Sequence, residues 1–291
     1  MRVVIDGLVV VDKAAGWTSH DVVAKCRGIF GQKRVGHAGT LDPGATGVLL
    51  VGLGRVTRLL RYPGGLPKAY TGEVVLGTET STLDDEGDVT ATHDMSGVAL
   101  EDARAAAAQF VGAIEQVPPM VSAVKVGGRR LHELARAGQE VERAAREITV
   151  YGLDVVGQPE PGVFTIEVTC SAGTYVRVLA ADLGRALGGG AHLRRLRRTA
   201  VGEFSVDEAR PVEALDVDFV LPPIEAMRGY ARVTVEPAVA GDVRHGKVLE
   251  AAVLGVDGDG PWAVMDGEGV LLAVYEPYQD ARVKPAVVLV T

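Results

Sequence analysis

Cysteine is scarce in this 291-residue chain: Cys26 and Cys170 are the only two. Two thiols so far apart exclude a disulfide scaffold and a cysteine-built zinc site. Long apolar runs are missing too, since no window approaches the ~20 consecutive apolar residues of a membrane span. The opening segment MRVVIDGLVVVDK lacks a secretory layout, because Asp6 interrupts its apolar run and no small-residue cleavage site follows. A cytoplasmic protein with no membrane partner is expected. Excess positive charge is absent as well, the formal net charge being −8, which argues against a uniformly basic binder of nucleic acid. There is no internal repeat and no low-complexity tract. What is left, 47% apolar and 23% charged, is an ordinary globular composition at a length that allows one large domain plus a small one.

Familiar enzyme signatures are also lacking. There is no Walker A sequence and no G-x-S-x-G nucleophile elbow. His132-Glu133-Leu134-Ala135-Arg136 opens like a zinc-protease helix but has arginine where the second histidine ligand belongs. Gly52-Leu53-Gly54-Arg55-Val56-Thr57 lacks the third glycine of a dinucleotide fingerprint, so a tight strand-to-helix turn explains it better than an oxidoreductase cofactor site. Asp84, Asp85, Glu86 and Asp88 lack calcium-loop spacing and read as a solvated turn. None of these is a complete metal or cofactor motif.

Against these absences stands one dense stretch, Val35 to Gly47, VGHAGTLDPGATG. Its glycines allow a close backbone approach or a positive φ. Pro43 keeps Asp42 out of helical geometry and stiffens the loop around it. An ionised aspartate can itself attack an electrophilic carbon. It needs a cation to stay charged, because desolvation alone would raise its pKa. Arg177, at the start of a helix after a strand, is a candidate cation, although taken alone it reads more readily as a surface ion pair. Tyr70 and Tyr175, at element boundaries, could stack on a base or simply be structural. Lys13 could reach a phosphate or be solvated.

Basic residues cluster despite the negative total. His192-Leu193-Arg194-Arg195-Leu196-Arg197-Arg198 holds four arginines, Arg55, Arg58 and Arg61 recur at helical spacing, and Lys33-Arg34 and Arg129-Arg130 add to them. Such patches fit a phosphate-binding face, or a solvated surface.

Periodicity predicts strands at Gly7–Asp12, Val48–Gly52, Lys68–Gly77, Val121–Val126, Ile148–Val156 and Val163–Cys170, the last two as neighbours. It predicts helices after an N-cap at Ser19, a short basic one ending near Tyr62-Pro63, and others over Leu100–Ile114, Leu131–Ala137 and Thr174–Leu187. A linker is expected at Asp216–Gly229, followed by a β-rich tail with a hairpin at Asp266-Gly267-Glu268-Gly269.

Taken together, the motifs resemble a known family, the TruB-type tRNA pseudouridine synthases. They run Asp12-Lys13-Ala14-Ala15-Gly16 with Thr18-Ser19, Gly36-His37-Ala38-Gly39-Thr40-Leu41-Asp42-Pro43, Lys68-Ala69-Tyr70, and Thr80-Ser81-Thr82-Leu83-Asp84. Then come Pro118-Pro119-Met120-Val121-Ser122-Ala123-Val124-Lys125, Gly173-Thr174-Tyr175-Val176-Arg177 and Leu196-Arg197-Arg198-Thr199. They keep the family's order over roughly residues 5 to 215.

The resemblance implies an α+β pseudouridine synthase fold, a central, largely antiparallel mixed sheet flanked by helices, over residues 1–225. A small β-rich, PUA-like RNA-binding domain would occupy 229–291. It implies conversion of uridine 55 in the tRNA TΨC loop to pseudouridine without cofactor or metal, by base flipping. By the same resemblance Asp42 is the nucleophile, attacking the sugar C1′ or the uracil C6. Tyr70 would stack on the uracil, Tyr175 would line the pocket, Arg177 would pair with Asp42, and Leu196 would close the pocket beside the base. His37 would fill the space left in the T-loop, and Lys13 would hold the first loop. The tRNA T-arm is the implied partner, with no obligatory protein partner and a monomeric enzyme. His132 departs from the family's tyrosine and receives no role. A catalytically idle tRNA-binding chaperone on the same scaffold is the rival reading; an intact Asp42, Tyr70 and Arg177 argue against it.

Overall fold

A run as continuously apolar as Val48-Leu49-Leu50-Val51 has no wet face, so it belongs in the interior of a sheet. In the computed structural model it is the centre of the strand Thr46–Leu53, in which Val48, Leu49, Leu50 and Val51 are all fully buried. The structure describes residues 4–122, 124–136, 138–139 and 141–289. Contacts group the chain into two compact units that follow no simple sequence order. The first comprises residues 1–42, 48–65 and 202–291, the second 43–47 and 66–201.

In the first unit, strand Gly7–Lys13 lies between Thr46–Leu53 and Arg210–Pro211, parallel to the latter through Val11 and Asp12. Val35–Ala38 pairs antiparallel with Leu50–Leu53, setting His37 opposite Val51. Helix Ser19–Ile29 lays Val22, Val23 and Cys26 on Val9, Val11, Leu49 and Val51, the face its spacing predicts. Its N-cap is Thr18 rather than Ser19. Thr18 accepts from the Asp21 backbone N–H while the Asp21 carboxylate accepts from Thr18 N–H, a reciprocal capping box. Ser19 is thereby released for another task.

The expected linker at 216–229 is instead part of this unit. Pro223–Met227 is a short 3-10 helix with Ala226 and Met227 fully buried, and Leu221 exchanges two backbone hydrogen bonds with Leu8. The prolines begin a turn of helix here, and the apolar residues after them find a core.

The tail is β-rich as expected. Ala231–Thr234, Trp262–Met265, Leu271–Tyr278, Arg282–Val288 and Leu249–Glu250 form one five-stranded sheet, with the hairpin at Asp266–Gly269. Helix Pro237–Arg244, not foreseen, closes its core with Ala240 and Val243 against Trp262, Leu272 and Tyr275.

The second unit is built on antiparallel pairs in the order Ala191–Val201, Lys68–Leu76, Val163–Cys170, Arg146–Glu160 and Gly112–Gln116. Thr46 and Gly47 pair in parallel with Arg197 and Arg198, so its sheet is mixed. Helix Val176–Ala186 covers it with Val176, Leu179, Ala180 and Leu183. The helix expected over 100–114 ends at Ala107, passes through one 3-10 turn, and becomes the strand Gly112–Gln116. Edge pairing with Arg146–Val150 outweighs helical propensity there. The expected Val121–Val126 strand is reduced to Lys125–Val126, and Ala123 and Ala137 lie outside the described residues. The fold is α+β. Among the described residues, no helix is long and apolar enough to cross a membrane.

Candidate active site

The glycine-rich stretch resolves into two strand ends and a true loop of residues 39–45. Asp42 is half-buried at its centre, in irregular backbone. The residue before it is fixed from both sides: Leu41 N–H donates to Ser19 Oγ at 2.9 Å, and Ser19 Oγ–H donates to Leu41 C=O at 3.2 Å. Ser19 is buried at the start of its helix, so a rigid element carries the loop. Upstream, Lys13 is not solvated. The residue is 1% exposed, and its ammonium donates to the carbonyls of Ala14 (3.0 Å) and Trp17 (2.7 Å), folding the turn that leads into that helix. Lys13, Ser19 and Leu41 thus form a relay ending one residue short of Asp42. On the far side of the loop, Gly47 has φ +101°, and a Cβ there would fall 2.1 Å from the Arg198 carbonyl oxygen. Only glycine fits.

His37 is half-buried on its strand, its ring edge-on to His20 at 5.3 Å between centroids. His20 escaped the sequence reading; its only signal is its place beside Ser19.

In the second unit, Tyr70 is buried on strand Lys68–Leu76, opposite Val168 on one side and Arg198 on the other. Tyr175 is the N-cap residue of helix Val176–Ala186, its backbone locked by Gln116, whose carbonyl accepts from Tyr175 N–H at 2.7 Å. Arg177, in the first turn of that helix, is 4% exposed and so no surface ion pair. Its guanidinium donates to Val121 C=O at 2.9 Å and Thr82 C=O at 3.4 Å, and is 3.6 Å from the Asp84 carboxylate. It also lies 5.9 Å from the Tyr175 ring centroid. Asp84 is therefore not part of a solvated turn, although Asp85, Glu86 and Asp88 are more open to solvent. Leu196, half-buried, reaches the Tyr70 side of the sheet over Gly72.

The basic clusters are not bare phosphate hooks. Arg194 binds Glu73 (2.6 Å) and Glu160 (2.9 Å), Arg195 binds Glu73 (3.1 Å), and Arg198 is 1% exposed. Arg55 and Arg58 donate to the carbonyls of Leu289 and Val288, and Arg61 pairs with Glu276 at 2.6 Å. These last three fasten the final strands of the tail sheet to the segment after Thr46–Leu53. Both cysteines are buried, which pushes each thiol up to about 11. They are poor nucleophiles. The backbone of His132 lies in helix Leu131–Arg136, and its side chain falls outside the described part of the structure.

The N-terminal domain of the TruB family of pseudouridylate synthases matches residues 27–176, and the C-terminal domain of tRNA pseudouridylate synthase B matches residues 177–221. The tRNA pseudouridine synthase B of Mycobacterium sp. (strain KMS) is 45% identical over 289 residues, covering 97% of this chain and 96% of that one. That of Symbiobacterium thermophilum is 49% identical over 246 residues, 83% and 82% of the two chains. Among solved structures, a Cbf5-Nop10-Gar1 complex matches with a TM-score of 0.74 at 27% identity, over 98% of this chain and 84% of that one. With a matching domain over half its length and relatives this similar from end to end, the chain belongs to the TruB family of pseudouridylate synthases.

Proposed function

We propose that the protein isomerises uridine 55 in the TΨC loop of tRNA to pseudouridine, with Asp42 as the nucleophile. The observation that carries this is the tethered loop: a half-buried aspartate whose preceding residue is held at both backbone atoms by Ser19. The relatives named tRNA pseudouridine synthase B support tRNA as substrate.

The target base leaves its stack, which costs about a few kcal/mol. Stacking on Tyr70 returns about 1–3 kcal/mol of that, and His37 fills the gap left in the T-loop. Tyr175 lines the pocket and Leu196 closes it. Arg177 pairs with the Asp42 carboxylate and keeps it ionised. Asp42 attacks C1′ or C6, the N1–C1′ bond breaks, the uracil turns and C5 bonds to C1′; the bond to Asp42 then breaks to return the carboxylate, and the C5 hydrogen leaves as a proton while N1 takes one up. Electrons balance within the nucleotide, so the step calls for neither redox cofactor nor metal. Lys13 holds the first loop against the site. Residues 229–291 serve as a PUA-like RNA-binding domain beside the catalytic residues 1–225. The enzyme works in the cytoplasm as a monomer on the T-arm of tRNA, without an obligatory protein partner.

Incubating unmodified tRNA with wild-type and Asp42→Asn protein, then mapping pseudouridine, tests the assignment. The expected outcome is modification at uridine 55 by wild type alone, with the variant still binding tRNA. Comparable modification by Asp42→Asn would remove the nucleophile, and binding without modification by either protein would favour an RNA chaperone.

A further inference from the structure

Strand Ala191–Val201 contains an irregularity that decides which side chain faces the base. Against strand Lys68–Leu76 its register runs Arg194 opposite Glu73, then Arg197 opposite Thr71. Three steps on one strand thus match two on the other, which is a β-bulge. In an unbroken ladder Arg195 would stand opposite Gly72 and Leu196 opposite Thr71. Since opposite residues share a face and successive ones alternate, Arg195 would then join Tyr70, and Leu196 would point away. The bulge reverses this. The Leu196 Cδ1 atom lies 3.5 Å from where a Gly72 Cβ would be, on the Tyr70 side, while Arg195 reaches Glu73 on the other face.

The extra residue is held in an unfavourable backbone state. Arg195 has φ +54°, left-handed geometry that a long L-side chain avoids. Its side chain is 67% exposed, so packing does not hold it there. What does is a carboxylate that bridges the irregularity. Glu73 accepts from Arg194 Nε on one oxygen (2.6 Å) and from Arg195 Nη1 on the other (3.1 Å). Burial raises the Glu73 pKa, but these two arginines outweigh it and hold the carboxyl below its ordinary range.

We propose that Glu73 is a positioning residue: by clamping Arg194 and Arg195 it fixes the bulge that turns Leu196, rather than Arg195, towards the uracil. Gly72 is its neighbour on the other face, where the Cδ1 atoms of Leu193 and Leu196 would lie 3.3 and 3.5 Å from a Cβ. The proposal rests on the reading of Tyr70 and Leu196 as walls of the uracil pocket.

The test is a double-mutant cycle on the full-length protein, with an unmodified tRNA transcript, following single-turnover pseudouridine formation and tRNA affinity separately. Glu73→Gln is expected to slow the single-turnover step about tenfold, as loss of a positioned pocket wall does, without weakening tRNA binding. In a Leu196→Ala background the same substitution is expected to change nothing further. Wild-type speed for Glu73→Gln beside a slow Leu196→Ala would overturn the proposal alone, as would an undiminished Glu73→Gln effect in the Leu196→Ala background. Wild-type speed for Leu196→Ala would overturn the pocket reading and this proposal with it. A second pair guards against misfolding. Arg195→Gly suits a positive φ and should run near wild-type speed, whereas Arg195→Val resists it and should match Glu73→Gln. Both lose the same arginine, so equal rates for the two would also overturn the proposal.

Discussion

Lys68 opens the strand that carries Tyr70, yet its ammonium is buried and donates to Leu66 C=O at 2.7 Å. Burial first, and then the neighbouring Arg198 charge, pull its pKa down to about 8. An unfolded lysine keeps its ordinary value near ~10.4. Between those values the unfolded chain binds more protons, so stability rises with pH there, and the full penalty applies below about pH 8. The difference in unfolding free energy between Lys68→Met and wild type should shift by roughly 2–3 kcal/mol in favour of wild type as pH climbs from about 7.5 to about 10.5. Urea titrations at several pH values would measure it, and a constant difference would refute the lysine's role. Ser19→Ala should lower turnover more than tRNA affinity, because Leu41 loses the hydroxyl that holds both its backbone N–H and its carbonyl. A parallel loss in both would show that Ser19 does more than carry the loop. At this scale the irregular loop around Asp42 was legible from its glycine and proline content. Asp84 was not, because an aspartate among exposed acids reads as solvated until a distant arginine is placed beside it.

Elements were legible where one physical preference dominated. The alternation of Lys68–Leu76 and Val163–Cys170 and the stripe of Ser19–Ile29 marked their buried faces directly. They were misread where local preference and pairing compete, as at residues 111–114, and the bulge at Arg195 left no periodic trace at all. The capping box supplies a measurable case. Thr18→Ala should destabilise by about 1 kcal/mol, read from the thermal or urea midpoint. No change would mean that the helix is held by packing alone. Gly47→Ala is far harsher, since strained φ and the Arg198 carbonyl oppose it together. A loss of about 3 kcal/mol or more in the same measurement is expected; a variant of near wild-type stability would show the backbone there to be more pliable than its geometry.

For the whole molecule, a net charge of −8 must be reconciled with an anionic substrate. Counting arginines overstates the attraction, since Arg61, Arg194 and Arg195 already have carboxylate partners. Affinity for tRNA should still fall with salt, but Arg61→Ala should leave the slope of log affinity against log salt nearly unchanged. A slope shallower by a full counterion would assign Arg61 to the RNA face. The division of the chain into two units with interleaved residue ranges could not be read from sequence, because no local signal marks which distant segment completes a sheet. Strand Gly7–Lys13 bears the consequence. Two of its partners, the Arg210–Pro211 strand and Leu221, come from the last third of the chain. On the ribosome, this strand therefore emerges well before those partners and waits with that edge unpaired until they are made. Such an edge is open to mispairing for as long as synthesis lasts, so the speed at which the last third is made bears directly on the yield of folded enzyme.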